Sequence, residues 1–302
     1  THEASKFRTR FRLLFLFYKK LVEECKRERW FGRRGSGNTV GRASIPVGLK
    51  MSLLAVVQIL GRGDCFDDME MVSGTHESTV QACFHTFCNN FAKGMYKAWI
   101  CAPEGEDLKE VTATYKRLGF PGVVGPCDVT YAPASRTVYY TGKEGFPSIA
   151  YQVTVDHTAR ARVLTAGFAG ETNDKAIVHY DLSVDGGRTH EAYTQTEYTL
   201  VDSERREFTE KGGYLIIDGG YHQWRCLMCP RKSALTAAEL KWSKHLESVR
   251  KDVECFFGRL KGQLRILKMP LTFWASNTNS MEEIDNIFAC CISQSMIHAY
   301  DG

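Results

Sequence analysis

No run of 18 or more apolar residues occurs in this 302-residue chain, so no helical membrane span and no membrane partner are expected. The most apolar short stretch near the start, Phe11 to Phe17, is brief and flanked by charge. A cysteine framework is missing as well. Eleven cysteines are scattered without regular spacing, which suits free thiols in a reducing compartment. Cys226-x-x-Cys229 has no second pair with that spacing, and His222 or His245 would complete a zinc site only by accident of fold; buried thiols are the expected reading. Gly142-Lys143-Glu144-Gly145 lacks the glycine spacing of a phosphate-binding loop, so no ATP use is expected. His179, His190 and His298 show no partner pattern. Internal repeats and low-complexity segments are absent too. The chain begins at Thr1 rather than Met, so a leading segment is left open.

What is present is an ordinary globular composition, 43% hydrophobic and 25% charged. The net charge of +4 decides little, but its distribution is uneven. Residues 1–50 hold 13 Lys/Arg against 4 Asp/Glu, and the remainder 26 against 31. A basic arm of this kind suits nucleic acid, with Arg8, Arg10 and Arg12 as candidate phosphate contacts; a solvated helical face is the plain alternative. Apolar residues at three- and four-residue steps predict a helix over 6–30, a second over 47–60 and a third over 108–118. Helices over 66–72 and 77–91 joined at Gly74 have the outline of a helix-turn-helix, in which Thr79, Gln81, His85 and Asn89 would face DNA. A hairpin that merely packs is the other reading.

After Gly119 the texture changes. Val123-Val124 leads to Asp128, and 148–155 and 162–166 read as strands. Asn173 caps a helix over about 174–182. Residues 184–213 read as a polar insertion loop, 214–217 as a buried central strand and 224–229 as a further strand. Helices are expected over 237–267 and 284–300. Helices first and strands later predict an all-α region, 1–119, followed by an α/β domain with a mixed sheet, 120–302.

Three acids stand out. Asp128 and Asp218 each close an apolar, strand-like run, and acids there usually reach the rim of a sheet. Glu254 follows Asp218 after 35 intervening residues, on the polar side of an amphipathic helix whose other face carries Val249, Val253, Phe256, Leu260 and Leu264. Convergent carboxylates from two strands and a helix suit Mg²⁺ or Mn²⁺, and a pair of such ions can activate a nucleophile and steady the leaving oxygen at a phosphodiester. Arg250, Lys251, Lys261 and Arg265 are placed to hold phosphates. Read singly, each acid is better taken as a surface ion pair; their order, strand contexts and spacing together favour the site. Asp174 is expected to cap its helix, and Asp156 or Asp174 could support the site from outside.

The words GRGDCFDDMEMVSGTHEST (61–79), FPGVVGPCD (120–128), YTGKEGFPSIAYQVTVDH (140–157), GETNDKAIVHYD (170–181), YLIIDGGYHQW (214–224) and ESVRKDVECFFGRLKGQLRILKMP (247–270) resemble the Harbinger-type DDE transposases and their domesticated relatives. That resemblance implies an RNase H-like catalytic domain after a helical DNA-binding region, with a two-metal Mg²⁺ or Mn²⁺ site at Asp128, Asp218 and Glu254. It implies cleavage of double-stranded DNA at transposon ends and strand transfer into target DNA. A Myb-like DNA-binding partner and work in the nucleus are also implied, and a homo-oligomer is left open. Asp128 is followed by Val129-Thr130-Tyr131, where the family has a small residue or Cys and then Thr/Gly-x-His, and Ser293-Gln294-Ser295 stands in place of a Leu-His-Asn stretch. Those departures open a second reading, a domesticated DNA-binding or adaptor protein of the same fold.

Overall fold

Tyr214, Leu215, Ile216 and Ile217 alternate between two cores, and that alternation explains the layering around them. Leu215 and Ile217 pack with Val124, Cys127, Val129, Ile177, Val184 and Leu227. Tyr214 and Ile216 pack with Val111, Tyr115, Phe120, Leu246 and Val249. Successive side chains of a strand point to opposite faces, so a run apolar at every position must be covered on both sides.

These positions come from a computed structural model that describes residues 2–31, 48–134, 141–231, 233, 236–269 and 280–301. The described residues fall into two compact units. One draws on 1–97, 132–135 and 260–302, and the other on 98–131 and 136–259.

The first unit is helical: α1 (His2–Phe11), α2 (Phe15–Arg27), α3 (Leu49–Arg62), α4 (Phe66–Ser73), α5 (Glu77–Trp99, which runs two residues past the unit) and α11 (Ser280–Asp301). The single helix expected over 6–30 is broken at Arg12, which takes a left-handed φ of 60°. Leu13 turns inward at that break and is buried. α4 and α5 are separated by Gly74, also left-handed, whose N–H closes α4 on Glu70.

The second unit holds the sheet. Its elements are α6 (Gly105–Arg117), β1 (Val123–Pro133), β2 (Ser148–Val155), β3 (Ala161–Leu164), β4 (Phe168–Ala169), α7 (Asp174–Ile177), α8 (Leu182–Thr189), α9 (Glu191–Thr194), β5 (Glu197–Val201), β6 (Glu207–Lys211), β7 (Tyr214–Ile216), β8 (Leu227–Met228) and α10 (Ala237–Gln263), with the last two residues of β1 and the last four of α10 counted in the helical unit. The main sheet runs β3-β2-β1-β7-β8, with β4 on β2. β1, β7 and β8 are parallel, whereas β3 and β4 run antiparallel to β2, so the sheet is mixed. The fold is α/β, as expected. Gly125 fits because a Cβ there would stand 2.2 Å from the carbonyl oxygen of Val155; the β1 and β2 backbones approach too closely for a side chain.

Residues 184–213 are not a loop. They form α8, α9 and the β5–β6 hairpin. The Asp181 carboxylate caps α8, accepting from the N–H groups of Ser183 and Val184. The hairpin was hidden because it is largely solvent-exposed, leaving no apolar stripe to read. Trp224–Cys229 contributes only Leu227–Met228 as strand. α10 begins with a reciprocal cap between Thr236 and Glu239 and stops at Gln263. Arg265 therefore sits on a separate short 3₁₀ turn, Arg265–Lys268.

Candidate active site

Register and alternation bring two of the three acids together. β1 and β7 are in parallel register with Gly125 opposite Leu215 and Pro126 opposite Ile216. Two further steps bring Asp128 level with Asp218, on neighbouring strand paths about 4.8 Å apart. The same parity directs both toward the face where Tyr214 and Ile216 meet α10. Contrary to the reading of Asp128 as a strand end, β1 continues to Pro133, because Val129 and Tyr131 still have a core to enter. The strand that ends there is β7, and Asp128 lies where β1 outruns it.

α10 supplies the third acid. Leu246, Val249, Val253, Phe256 and Leu260 are buried at three- and four-residue steps, leaving Glu254 exposed. The three carboxylates are not drawn into one ligand cluster: among the described residues no three His, Cys, Asp or Glu side chains are grouped to hold a metal ion. Arg250 stands between two of them. Its guanidinium donates to Asp128 Oδ2 at 2.9 Å, to Glu254 Oε1 at 2.7 Å and to Glu247 Oε2 at 3.1 Å. The residue expected to hold phosphate therefore stands between the two acids it was expected to flank.

Asp218 acts on Asp128 as a like charge. One of its oxygens accepts from the Gly220 N–H at 2.7 Å. Burial pushes the Asp128 carboxyl up to about 6; the Val129 N–H and Arg250 pull it down, and Asp218 and Asp174 push it up. Asp174 is the residue that sequence reasoning undervalued. Asn173, not Asp174, caps α7, accepting from the Ala176 N–H. Burial pushes Asp174 up, Lys143 pulls it down and Asp218 pushes it up again. One of its oxygens is buried without a hydrogen-bond partner, and the other lies 3.8 Å from Lys143 Nζ. Lys143 also lies over the Tyr131 ring, 4.8 Å from its centroid. No spacing rule pointed to Lys143, which sits in a glycine-rich loop next to Glu144 and 31 residues before Asp174. Asp156, the other outlying candidate, is instead consumed by Arg162 and its own turn.

Residues 122–293 match the family of DDE superfamily endonucleases, more than half of the chain. The chain belongs to that family. No curated protein and no solved structure matches it. In a DDE endonuclease the acids carry the interest, and Asp128, Asp218 and Glu254 all fall inside the matched span.

The donors present are hard carboxylate oxygens, the kind a divalent cation takes, but among the described residues no three of them are grouped to hold one. Asp128, Asp218 and Asp174 press like charges on one another, and Asp174 offers a buried oxygen with nothing bonded to it. Lys251 is exposed one residue from Arg250. Lys261 and Arg265 cluster with the helical unit, as do Arg8, Arg10 and Arg12. Arg8, Arg10 and Arg265 are exposed and Arg12 and Lys261 half-buried.

Proposed function

We propose that this DDE endonuclease is a Harbinger-type transposase with an RNase H-like catalytic domain, cutting double-stranded DNA and joining transposon ends to target DNA. The observation that carries the reading is the crowding of Asp128 by Asp218 and Asp174 on the sheet face that α10 crosses with Arg250 and Glu254. Asp128, Asp218 and Glu254 would hold Mg²⁺ or Mn²⁺, with Asp174 beside them. When bound, such ions activate the attacking oxygen and stabilise the leaving one.

The chain's own residues do the rest. Arg250 holds Asp128 and Glu254 in register across the sheet–helix boundary, and Lys251 meets the DNA backbone beside it. Arg8, Arg10, Arg12, Lys261 and Arg265 serve the sequence-independent grip on phosphates, so binding should weaken steeply with salt. α4 and α5 would form the helix-turn-helix. Action in the nucleus, a Myb-like partner and self-association belong to the same reading.

A second reading, a domesticated binder of the same fold, is favoured by the same Arg250, which already neutralises two of the three acids. Supercoiled plasmid and labelled transposon-end DNA with Mg²⁺ or Mn²⁺ separate the two. Wild type should cut, and Asp218→Ala and Glu254→Ala should not. Equal residual cutting in all three would end the site assignment, and no cutting by any with intact binding would favour the binder.

A further inference from the structure

A second feature of the sheet unit has no part in the acid site. α8, the end of β6 and the loop before β8 enclose a cavity of about 530 Å³, lined by Arg188, Lys211, Arg225, Gln223 and Trp224. That is the size of pockets that take small organic ligands, about 300–1,000 Å³. Every charged group in its lining is positive. Lys211 and Arg225 are partly neutralised, by Glu197 at 2.8 Å and Glu210 at 2.9 Å. Arg188 is exposed and has no carboxylate partner among the described residues; it lies over the Trp224 ring, 4.7 Å from the centroid.

The indole is held in place. His222 stacks on it at 4.9 Å with planes 13° apart, and His179 meets it edge-on at 4.9 Å. Gly187 permits the arrangement: a Cβ there would come within 3.3 Å of the Cys226 Cβ, so α8 can lie close against the entry to β8 and carry Arg188 to the ring. A fixed aromatic face beside an unneutralised guanidinium suits a planar ring joined to a phosphate.

We propose that this pocket binds one unstacked nucleotide of a DNA strand, its base against Trp224 and its phosphate at Arg188. The proposal rests on the DNA-cutting reading for the choice of ligand. An incoming base takes the guanidinium's place on the indole, and the guanidinium turns to the phosphate. Position fits a contact away from the cut. The pocket touches Gly213 at the start of β7, and Asp218 lies past its end, five extended residues or about 16 Å further on. The held nucleotide is therefore a few positions from the scissile phosphate and serves to set the strand's register.

The test uses the full chain in EDTA, where nothing is cut. The probes are a short single-stranded oligonucleotide carrying 2-aminopurine and the same strand with an abasic site. Wild type should bind the first with quenched fluorescence and the abasic strand more weakly. Trp224→Ala should abolish the quenching and weaken binding about tenfold, the scale of one base stacked on an aromatic ring. Trp224→Phe should restore most of both. Arg188→Gln, at an exposed position that does not threaten folding, should weaken binding and lower the salt dependence by about one phosphate contact. Equal quenching in wild type and Trp224→Ala, or equal affinity for the abasic strand, would overturn the proposal. Plasmid cleavage with Mg²⁺ is run alongside. A chain that cuts without quenching overturns the pocket alone; one that quenches without cutting supports the pocket and defeats the nuclease reading.

Discussion

Asp156 is buried and Asp128 half-buried, each beside an arginine in the same sheet unit, yet their carboxyls move in opposite directions. Asp156 is fully buried, with Arg162 Nε at 2.5 Å. It also accepts from the Thr158 N–H and hydroxyl and from the Arg160 N–H. Burial pushes its carboxyl up, but Arg162 and these hydrogen bonds outweigh burial and hold it below the ordinary range. Arg162 in turn forks onto both oxygens of Asp107 at 2.6 and 2.8 Å. Asp128 shares its arginine with Glu247 and Glu254 and faces two further acids, so burial wins. One acid is finished by the fold; the other is left short of positive charge. A deficit of that kind is the mark of a site awaiting a ligand.

The comparison breaks first in catalysis. Asp218→Ala should lower DNA cleavage at least about a thousandfold, a loss of roughly 4 kcal/mol of transition-state stabilisation. Its melting temperature should change little, because Asp218 lies at the rim and, among the described residues, bonds its own turn alone. Cleavage rates and thermal unfolding of the same preparations check this. A large fall in stability with cleavage retained would place Asp218 with the structural acids.

Arg162→Ala should do the reverse. It leaves Asp156 buried and charged, which costs about 3 kcal/mol, the low end for breaking a buried pair, since Asp107 is 43% exposed and can rehydrate. The part contributed by Asp156 is present above about pH 4 and lost as pH falls through its lowered folded value. Denaturant titrations at pH 7 and pH 3 measure it; an unchanged midpoint at pH 7 would refute the pair as a structural element.

These contrasts explain what could be read in the sequence. Asp218 was legible because Tyr214–Ile217 is apolar at every position and the acid that ends such a run must reach a rim. Glu254 was legible because α10 keeps its helical period. Asp174 was misread because it was given a share in a cap that Asn173 supplies. Arg250 was placed on the right face, but its ion pairs were only half legible: one i,i+4 step pairs it with Glu254, while its contact with Asp128 spans 122 residues. The β5–β6 hairpin was illegible because its two faces are both largely wet.

The smallest expected effect is the most direct reading of the charge deficit. In the metal-free chain the Asp128 carboxyl keeps its proton up to about pH 6, against 3.8 for the ordinary group. Between those values the folded chain binds more protons than the unfolded one, so stability falls as pH rises through that window and levels off above it. The displacement corresponds to about 2 kcal/mol once solvent at the 18% exposed side chain is allowed for. Asp128→Asn removes the fall and leaves Arg250 with Glu247 and Glu254. In EDTA the variant should match wild type near pH 3.5 and exceed it at pH 7, and Mg²⁺ should narrow the gap by stabilising wild type alone. A wild-type-to-variant difference that stays flat from pH 4 to 8 would mean that Arg250 satisfies Asp128 as fully as Arg162 satisfies Asp156, and the contrast between the two acids would disappear.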